Sequence, residues 1–144
     1  IFRDIFGYHA QHLGQTGSIS APDVLLISDD EGYQAIIDNK AYSQYSITGD
    51  HHNRMVHNYI ENISNYSDSP YPIGFFVYIA GGFISTIDKQ IRSEVDECHV
   101  PGSGITVGNM IKLVEQHQDK LYTHKELRAL FGINRQITMA DFFR

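Results

Sequence analysis

The chain has 144 residues, 42% of them hydrophobic, and a formal net charge of −6 with histidine neutral. That acidic balance excludes a stand-alone basic DNA-binding module, whose affinity comes from Lys and Arg neutralising phosphates. The longest apolar run, Ile73 to Ile84, is well short of the ~20 residues that span a bilayer, so no membrane partner is expected.

In chain order, Ile1 to Phe6 reads as the last turns of an apolar helix, which suggests a piece of a longer polypeptide. Val24 to Ile27 and Ala35 to Ile37 are short apolar runs, and Asp29-Asp30-Glu31-Gly32 between them supplies turn chemistry. The stretch predicts a β-hairpin. Asp50 to Ser64 carries Met55, Val56, Tyr59, Ile60 and Ile63 at helical spacing and leaves Arg54, His57, Asn58 and Glu61 outside. Ser67 to Pro72 is a turn-rich break, and Ile73 to Ala80 predicts a buried strand. A helix follows from Thr86 to Cys98 with Ile87, Ile91 and Val95 on one face. Pro101 to Gly104 reads as a loop and Ile105 to Val107 as a short strand or helix lead-in, with a helix from Asn109 to Gln118. Thr123-His124-Lys125-Glu126 is a capping box that opens a helix ending at Gly132. The pattern is α/β, of a size for one domain. A single cysteine, Cys98, cannot form an internal disulfide, and no signal-peptide pattern is present. Both point to a reducing compartment, by default the cytoplasm.

The hairpin carries the chemistry. Antiparallel pairing brings Asp23, at the start of the first strand, beside Asp38 near the end of the second. Lys40 lies two residues beyond Asp38, so the two side chains leave one face, with Cα atoms about 6.6 Å apart. Mg²⁺ takes hard oxygen ligands, commonly one or two carboxylates plus phosphate oxygens and waters, and Mn²⁺ is a ready substitute. Asp23 and Asp38 thus predict a divalent-metal site, and Lys40 a positive charge beside the reacting phosphate. Asp38 and Lys40 are expected at a solvent-open strand end. Pro-Asp and Asp-Asn-Lys are also ordinary strand-end and turn peptides, so the pattern needs its context.

That context runs from Gly7-Tyr8 through His12-Leu13-Gly14, Pro22-Asp23, Ile37-Asp38-Asn39-Lys40-Ala41-Tyr42-Ser43 and Tyr59-Ile60-Glu61-Asn62. In order and spacing these segments resemble the FokI-type cleavage domain of the PD-(D/E)xK nuclease superfamily. Phe75 to Ile79 and the exit at Gly82-Phe83 look like that family's next core strand. The resemblance implies a mixed central sheet flanked by helices, restriction-endonuclease-like. It also implies Mg²⁺-dependent hydrolysis of double-stranded DNA, with metal on Asp23 and Asp38 and Lys40 as catalytic lysine. A separate DNA-recognition domain and a transient homodimer, in a bacterial cytoplasm, are further implications. One departure stands out: the family's interface helix carries an Asp and an Arg that pair across the two-fold axis, and here those positions hold Arg54 and Asn58. A dimer would need other contacts, for instance Arg54 with Asp50 or Glu61 of the other chain.

Charge is uneven. Residues 1–88 hold three basic and ten acidic side chains, a balance of −7, and residues 89–144 eight and seven, a balance of +1. Any phosphate-contacting surface therefore draws on Lys89, Arg92, Lys112 or Lys120, although solvated helix faces explain each one singly. His51, His52 and His57 lack the i, i+4 spacing of helical zinc ligands, and His12 is read as a packing or backbone-contacting residue. Gly102 to Gly108 has neither the glycine spacing nor the GK[ST] of a phosphate loop, and no GxSxG occurs. Two rival readings remain: another nuclease of the superfamily, in repair, recombination or modification-dependent restriction, and a non-catalytic DNA-associated assembly module that keeps the fold.

Overall fold

The computed structural model describes residues 1–13 and 21–142. Its strands are β1 (His9–His12), β2 (Val24–Ser28), β3 (Tyr33–Lys40), β4 (Ile73–Ala80) and β5 (Gly102–Thr106). They form one sheet in the order β1-β2-β3-β4-β5. The first three are antiparallel neighbours, and β3–β4 and β4–β5 are parallel, so the sheet is mixed as expected. Helices α1 (Gly49–Asn53), α2 (Ile87–Cys98), α3 (Val107–Asp119) and α4 (His124–Phe131) flank it. Residues of α3 and α4 such as Leu113, Leu127 and Phe131 share a core with Leu26, Ala35, Ile37, Phe75 and Val77. On the other face Met55, Tyr59, Ile87 and Ile91 share one with Leu25, Ile36, Phe76 and Tyr78. Burial on both faces explains the continuous apolar runs of β3 and β4.

Three segments depart from the sequence reading. Ile1 to Phe6 forms turns rather than a helix: Ile5 and Phe6 N–H both donate to the Ile1 carbonyl, at 2.9 and 3.2 Å. Gly7, at φ 77°, then turns the chain into β1, which shows no apolar alternation and was not anticipated. The predicted loop at Pro101 to Gly104 is instead the start of β5. Gly102 is there for close approach, because a Cβ would lie 2.1 Å from Cζ of buried Phe76. The far side of β5 is covered as well, since Asn134 N–H donates to Gly102 O at 2.8 Å and Ile137 N–H to Gly104 O at 2.7 Å.

The helix predicted over Asp50 to Ser64 exists in three parts. Thr48 caps α1 by accepting from His51 N–H at 3.2 Å. Arg54–Ile60 is π-helical, ending where Glu61 N–H reaches Val56 O at 3.3 Å, and Ile63–Asn65 is a 3₁₀ turn. Met55, Val56 and Tyr59 are buried as the periodicity predicts. The capping box closes reciprocally: Glu126 N–H donates to Thr123 Oγ1 at 3.1 Å, and Thr123 N–H to Glu126 Oε1 at 2.9 Å. Among the described residues no helix is long and apolar enough to cross a membrane.

Gly102→Ala should force Phe76 off its position and destabilise the fold by about 1–3 kcal/mol. Urea unfolding should show a lower midpoint with an unchanged slope.

Candidate active site

Val24 pairs with Ile37 in the β2–β3 register, so the next pair outward is Asp23 with Asp38. Backbone geometry fixes the first acid, because Asn39 N–H donates to Asp23 Oδ2 at 2.7 Å. In its protonated form the Asp38 carboxyl hydrogen-bonds to Asp23, and Lys40 Nζ lies 3.0 Å from Asp38 Oδ2. The three predicted site residues therefore meet. The expected solvent-open setting does not hold: the Asp38 and Lys40 side chains are 8% and 10% exposed. The loop after β3 packs over them, with the Tyr45 ring centroid 5.8 Å from Lys40 Nζ.

Burial is the main cause that pushes the Asp38 carboxyl up to about 6, with Asp23 adding to the rise and Lys40 opposing it. Two acids a hydrogen bond apart cannot both be charged without a compensating cation. Lys40 supplies part of that compensation.

The donor set fits a divalent metal. Asp23 and Asp38 offer hard carboxylate oxygens at one point, whereas among the described residues no three His, Cys, Asp or Glu side chains group to hold an ion. Two protein carboxylates with the remaining positions left to phosphate and water is a Mg²⁺-like arrangement.

Other candidates take structural positions. His51 Nδ1 bonds to the Tyr45 hydroxyl at 2.8 Å. His52 and His57 both bond to Glu97 of α2, and His57 also to Glu61 at 3.1 Å, which clasps the π-helical segment to α2. Asn58 is half-buried and accepts from the Tyr66 hydroxyl at 2.6 Å, so it is not the outward residue predicted. His12 is exposed and lines an apolar cavity of about 240 Å³ with Val24, Asn39 and Met110. Gly14 lies outside the described residues. Lys89, Arg92, Lys112 and Lys120 are all exposed. A larger cavity, about 620 Å³ beside Asp30, His117 and Lys125, opens at the hairpin-turn end, remote from the acid pair. Sequence reasoning missed Tyr45, Tyr78 and Glu94 beside the site. Glu94 had a signal, since it sits at an apolar-stripe position of α2.

A mixed five-stranded sheet flanked by helices is a restriction-endonuclease-like fold, and here two acids and a lysine meet at one strand end. The family model of the FokI cleavage domain matches residues 1–138. The chain belongs to that family, whose members are DNA endonuclease domains and therefore hydrolases. Among solved structures, restriction endonuclease FokI superposes with a TM-score of 0.77 at 22% identity, covering 96% of this chain and 26% of that one. FokI bound to DNA gives 0.78 at 21% identity with the same coverage. At these identities the likeness is one of fold, and the chain spans about a quarter of the length of those structures. Among curated proteins none matches.

The pair sets a pH dependence. Asp38 holds its proton more tightly folded than unfolded, so its contribution to stability is complete below about pH 4 and is lost as the pH rises through about 6. Above that range a cation relieves the charged pair. Millimolar Mn²⁺ or Mg²⁺ should raise the melting temperature by several degrees near pH 8 and much less near pH 5. An unchanged melting curve and no heat of titration near pH 8 would refute the metal site.

Proposed function

We propose that this chain is the cleavage domain of a type IIS-like restriction endonuclease and hydrolyses DNA phosphodiester bonds with Mg²⁺, or Mn²⁺ in its place. The observation that carries the reading is the meeting of Asp23, Asp38 and Lys40 at the end of β3. Asp23 and Asp38 would hold the metal, which supplies positive charge to the reacting phosphate and makes water a better nucleophile at neutral pH. The protein's own groups do the rest. Asn39 N–H holds the Asp23 carboxylate in place. Lys40, cushioned on Tyr45 and paired with Asp38, would bring an ammonium to the side where negative charge builds on the phosphoryl oxygens. Hydrolysis here needs no covalent enzyme intermediate.

Double-stranded DNA is the substrate in this reading, bound weakly by a chain of net charge −6 and delivered by a recognition domain elsewhere in the polypeptide. Cytoplasmic location accords with the single half-buried Cys98. One Asp23/Asp38/Lys40 site cuts one strand at a time, so a double-strand break calls for two copies, most simply a weak two-fold dimer through the Arg54–Glu61 face. The surface offered there is polar, and His57 and Glu61 already bond to each other.

Asp38→Ala and Lys40→Ala should each reduce cleavage by the full-length enzyme about 10²–10³-fold or more. Their combined loss should fall short of the product, since both act on one phosphate. Lys40→Ala should also destabilise, by less than the about 3–5 kcal/mol of a broken buried ion pair, because Asp38 can take up a proton instead. A Lys40→Ala enzyme cutting at the wild-type rate would remove lysine from the mechanism.

For assembly, the double-strand rate on a one-site substrate should rise faster than linearly with enzyme concentration. Arg54→Glu should suppress it while sparing nicking. Strictly first-order double-strand cleavage, indifferent to Arg54→Glu, would rule out this interface.

A further inference from the structure

One exposed aromatic side chain at the site has no part in the cleavage reading. Tyr42 stands two residues past Lys40 and is 53% exposed, and no hydrogen bond among the described residues uses its hydroxyl. Large rings scattered singly over a surface are ordinary. Tyr42 is not one of these, because its ring stacks on buried Tyr45 with centroids 5.5 Å apart and planes at 27°. Tyr45 is itself held by its bond to His51 Nδ1 and is the ring against which Lys40 Nζ rests. The Tyr42 ring is therefore one ring removed from the ammonium of the site.

The backbone beneath it is fixed as closely. Gly81 N–H donates to Tyr42 O at 2.9 Å, Tyr45 N–H to Gly82 O at 2.8 Å and Ile84 N–H to Tyr45 O at 3.1 Å, which stitches the loop to the exit of β4. That approach excludes any side chain at Gly82, where a Cβ would lie 2.3 Å from Ser43 O, and leaves little room at Gly81, where it would lie 3.0 Å from Tyr42 O. The loop closes on Gln90 at its far end, which accepts from Ile47 N–H at 2.7 Å and donates to Ser46 Oγ at 3.0 Å. Place adds to fixity. The carboxyl ends of the parallel strands β3, β4 and β5 lie together, at the edge where open α/β sheets bind their ligands, and Tyr42 stands just beyond the end of β3. A ring fixed there, exposed and with an unused hydroxyl, faces whatever Lys40 faces.

We propose that Tyr42 is a DNA-contacting residue of the cleavage site: its hydroxyl donates to a phosphate next to the scissile one on the strand being cut, and its ring lies against the adjoining deoxyribose. The inference rests on the cleavage reading for the substrate. Tyrosine is among the residues that contact phosphate and sugar, and such contacts position a duplex without reading its sequence. That suits a domain that cuts where it is delivered. In a chain of net charge −6, a neutral donor grips a phosphate without the cluster of Lys and Arg that a basic module would carry. The stack on Tyr45 also matters for the binding step, because a side chain already held in place loses little freedom when DNA arrives. Tyr42 thus keeps the strand in register with Asp23, Asp38 and Lys40 rather than taking part in the chemistry.

Tyr42→Phe tests the contact, since it keeps the ring and its seat on Tyr45 and removes only the donor. Its melting temperature and its Mn²⁺ affinity by calorimetry should match wild type. The maximal single-turnover cleavage rate of the full-length polypeptide should fall about tenfold, with half-saturating DNA unchanged because the recognition domain supplies the affinity. Substrates with one neutral methylphosphonate, moved phosphate by phosphate along both sides of the mapped cut, locate the partner: at one position wild type should slow while Tyr42→Phe slows no further. A wild-type rate in Tyr42→Phe, or equal slowing of the two enzymes at every position, would overturn the proposal. So would a lower melting temperature with weakened Mn²⁺ binding, which would make Tyr42 a residue of the fold. A second measurement does not depend on cutting. With benzoylphenylalanine in place of Tyr42 and Ca²⁺ in place of Mg²⁺, irradiation should join the full-length polypeptide to DNA. Cleavage by wild type without that crosslink defeats the role of Tyr42 alone, a crosslink in a protein whose wild type does not cut defeats the cleavage reading alone, and the absence of both defeats both.

Discussion

The site depends on the register between β2 and β3, which sets Val24 against Ile37 and so Asp23 against Asp38. A strand shifted by one residue would turn every side chain to the opposite face, and the burial of Leu25 and Ile36 on one face and Leu26 and Ile37 on the other forbids that. The same alternation that fills two cores therefore aims two acids at one point. The parallel partnership of β3 with β4 extends the constraint by placing Tyr78 beside Asp38. The bond from Asn39 N–H to Asp23 Oδ2 and the contact of Lys40 with Asp38 then tighten the acid pair. It is carried at the end of the most buried part of the sheet.

Burial there has a chemical effect. Because Lys40 and Asp38 are almost out of water, the lysine favours the charged form of the acid, and neither can change partner without leaving an imbalance. The residues that enclose them come from elements distant in sequence: Tyr45 from the loop after β3, held by Gln90 of α2, and Tyr78 from β4, held by Glu94 of the same helix. One turn further along, Glu97 holds His52 and His57. Three successive turns of α2 thus fasten the loop, the floor and the π-helical flank of a single region. π-helical geometry is uncommon and recurs at functional sites, and here it lies beside the residues that enclose Lys40.

What was legible in the sequence was local. Two short apolar runs joined by a four-residue polar turn specify the hairpin, and the hairpin specifies the Asp23–Asp38 pairing and the shared face of Lys40. The Thr123–Glu126 box and the stripe of α2 likewise depend on residues a turn apart. What was missed depends on contacts far along the chain. Gly102 reads as a loop residue until Phe76 is seen against it. Glu94 falls on the apolar stripe of α2, but what it meets there shows only once β4 is seen beneath it. The break from α-helical to π-helical hydrogen bonding at Arg54 leaves the apolar stripe intact, so periodicity did not reveal it. The enclosure of Lys40 was invisible for the same reason, because the loop that covers it is held by a helix some forty positions away.

Covering the outer edge of β5 with residues 134–137 has a consequence for self-assembly. An unpaired strand edge is a template on which another chain can add a strand, whether a partner peptide or a misfolded copy. At β5 the carbonyls of Gly102 and Gly104, which face away from β4, are already taken by Asn134 and Ile137. An incoming strand would have to strip that cover first. The sheet is closed on this side, and copies of the chain can meet there only through side chains. Growth into an extended ribbon from β5 is thereby blocked.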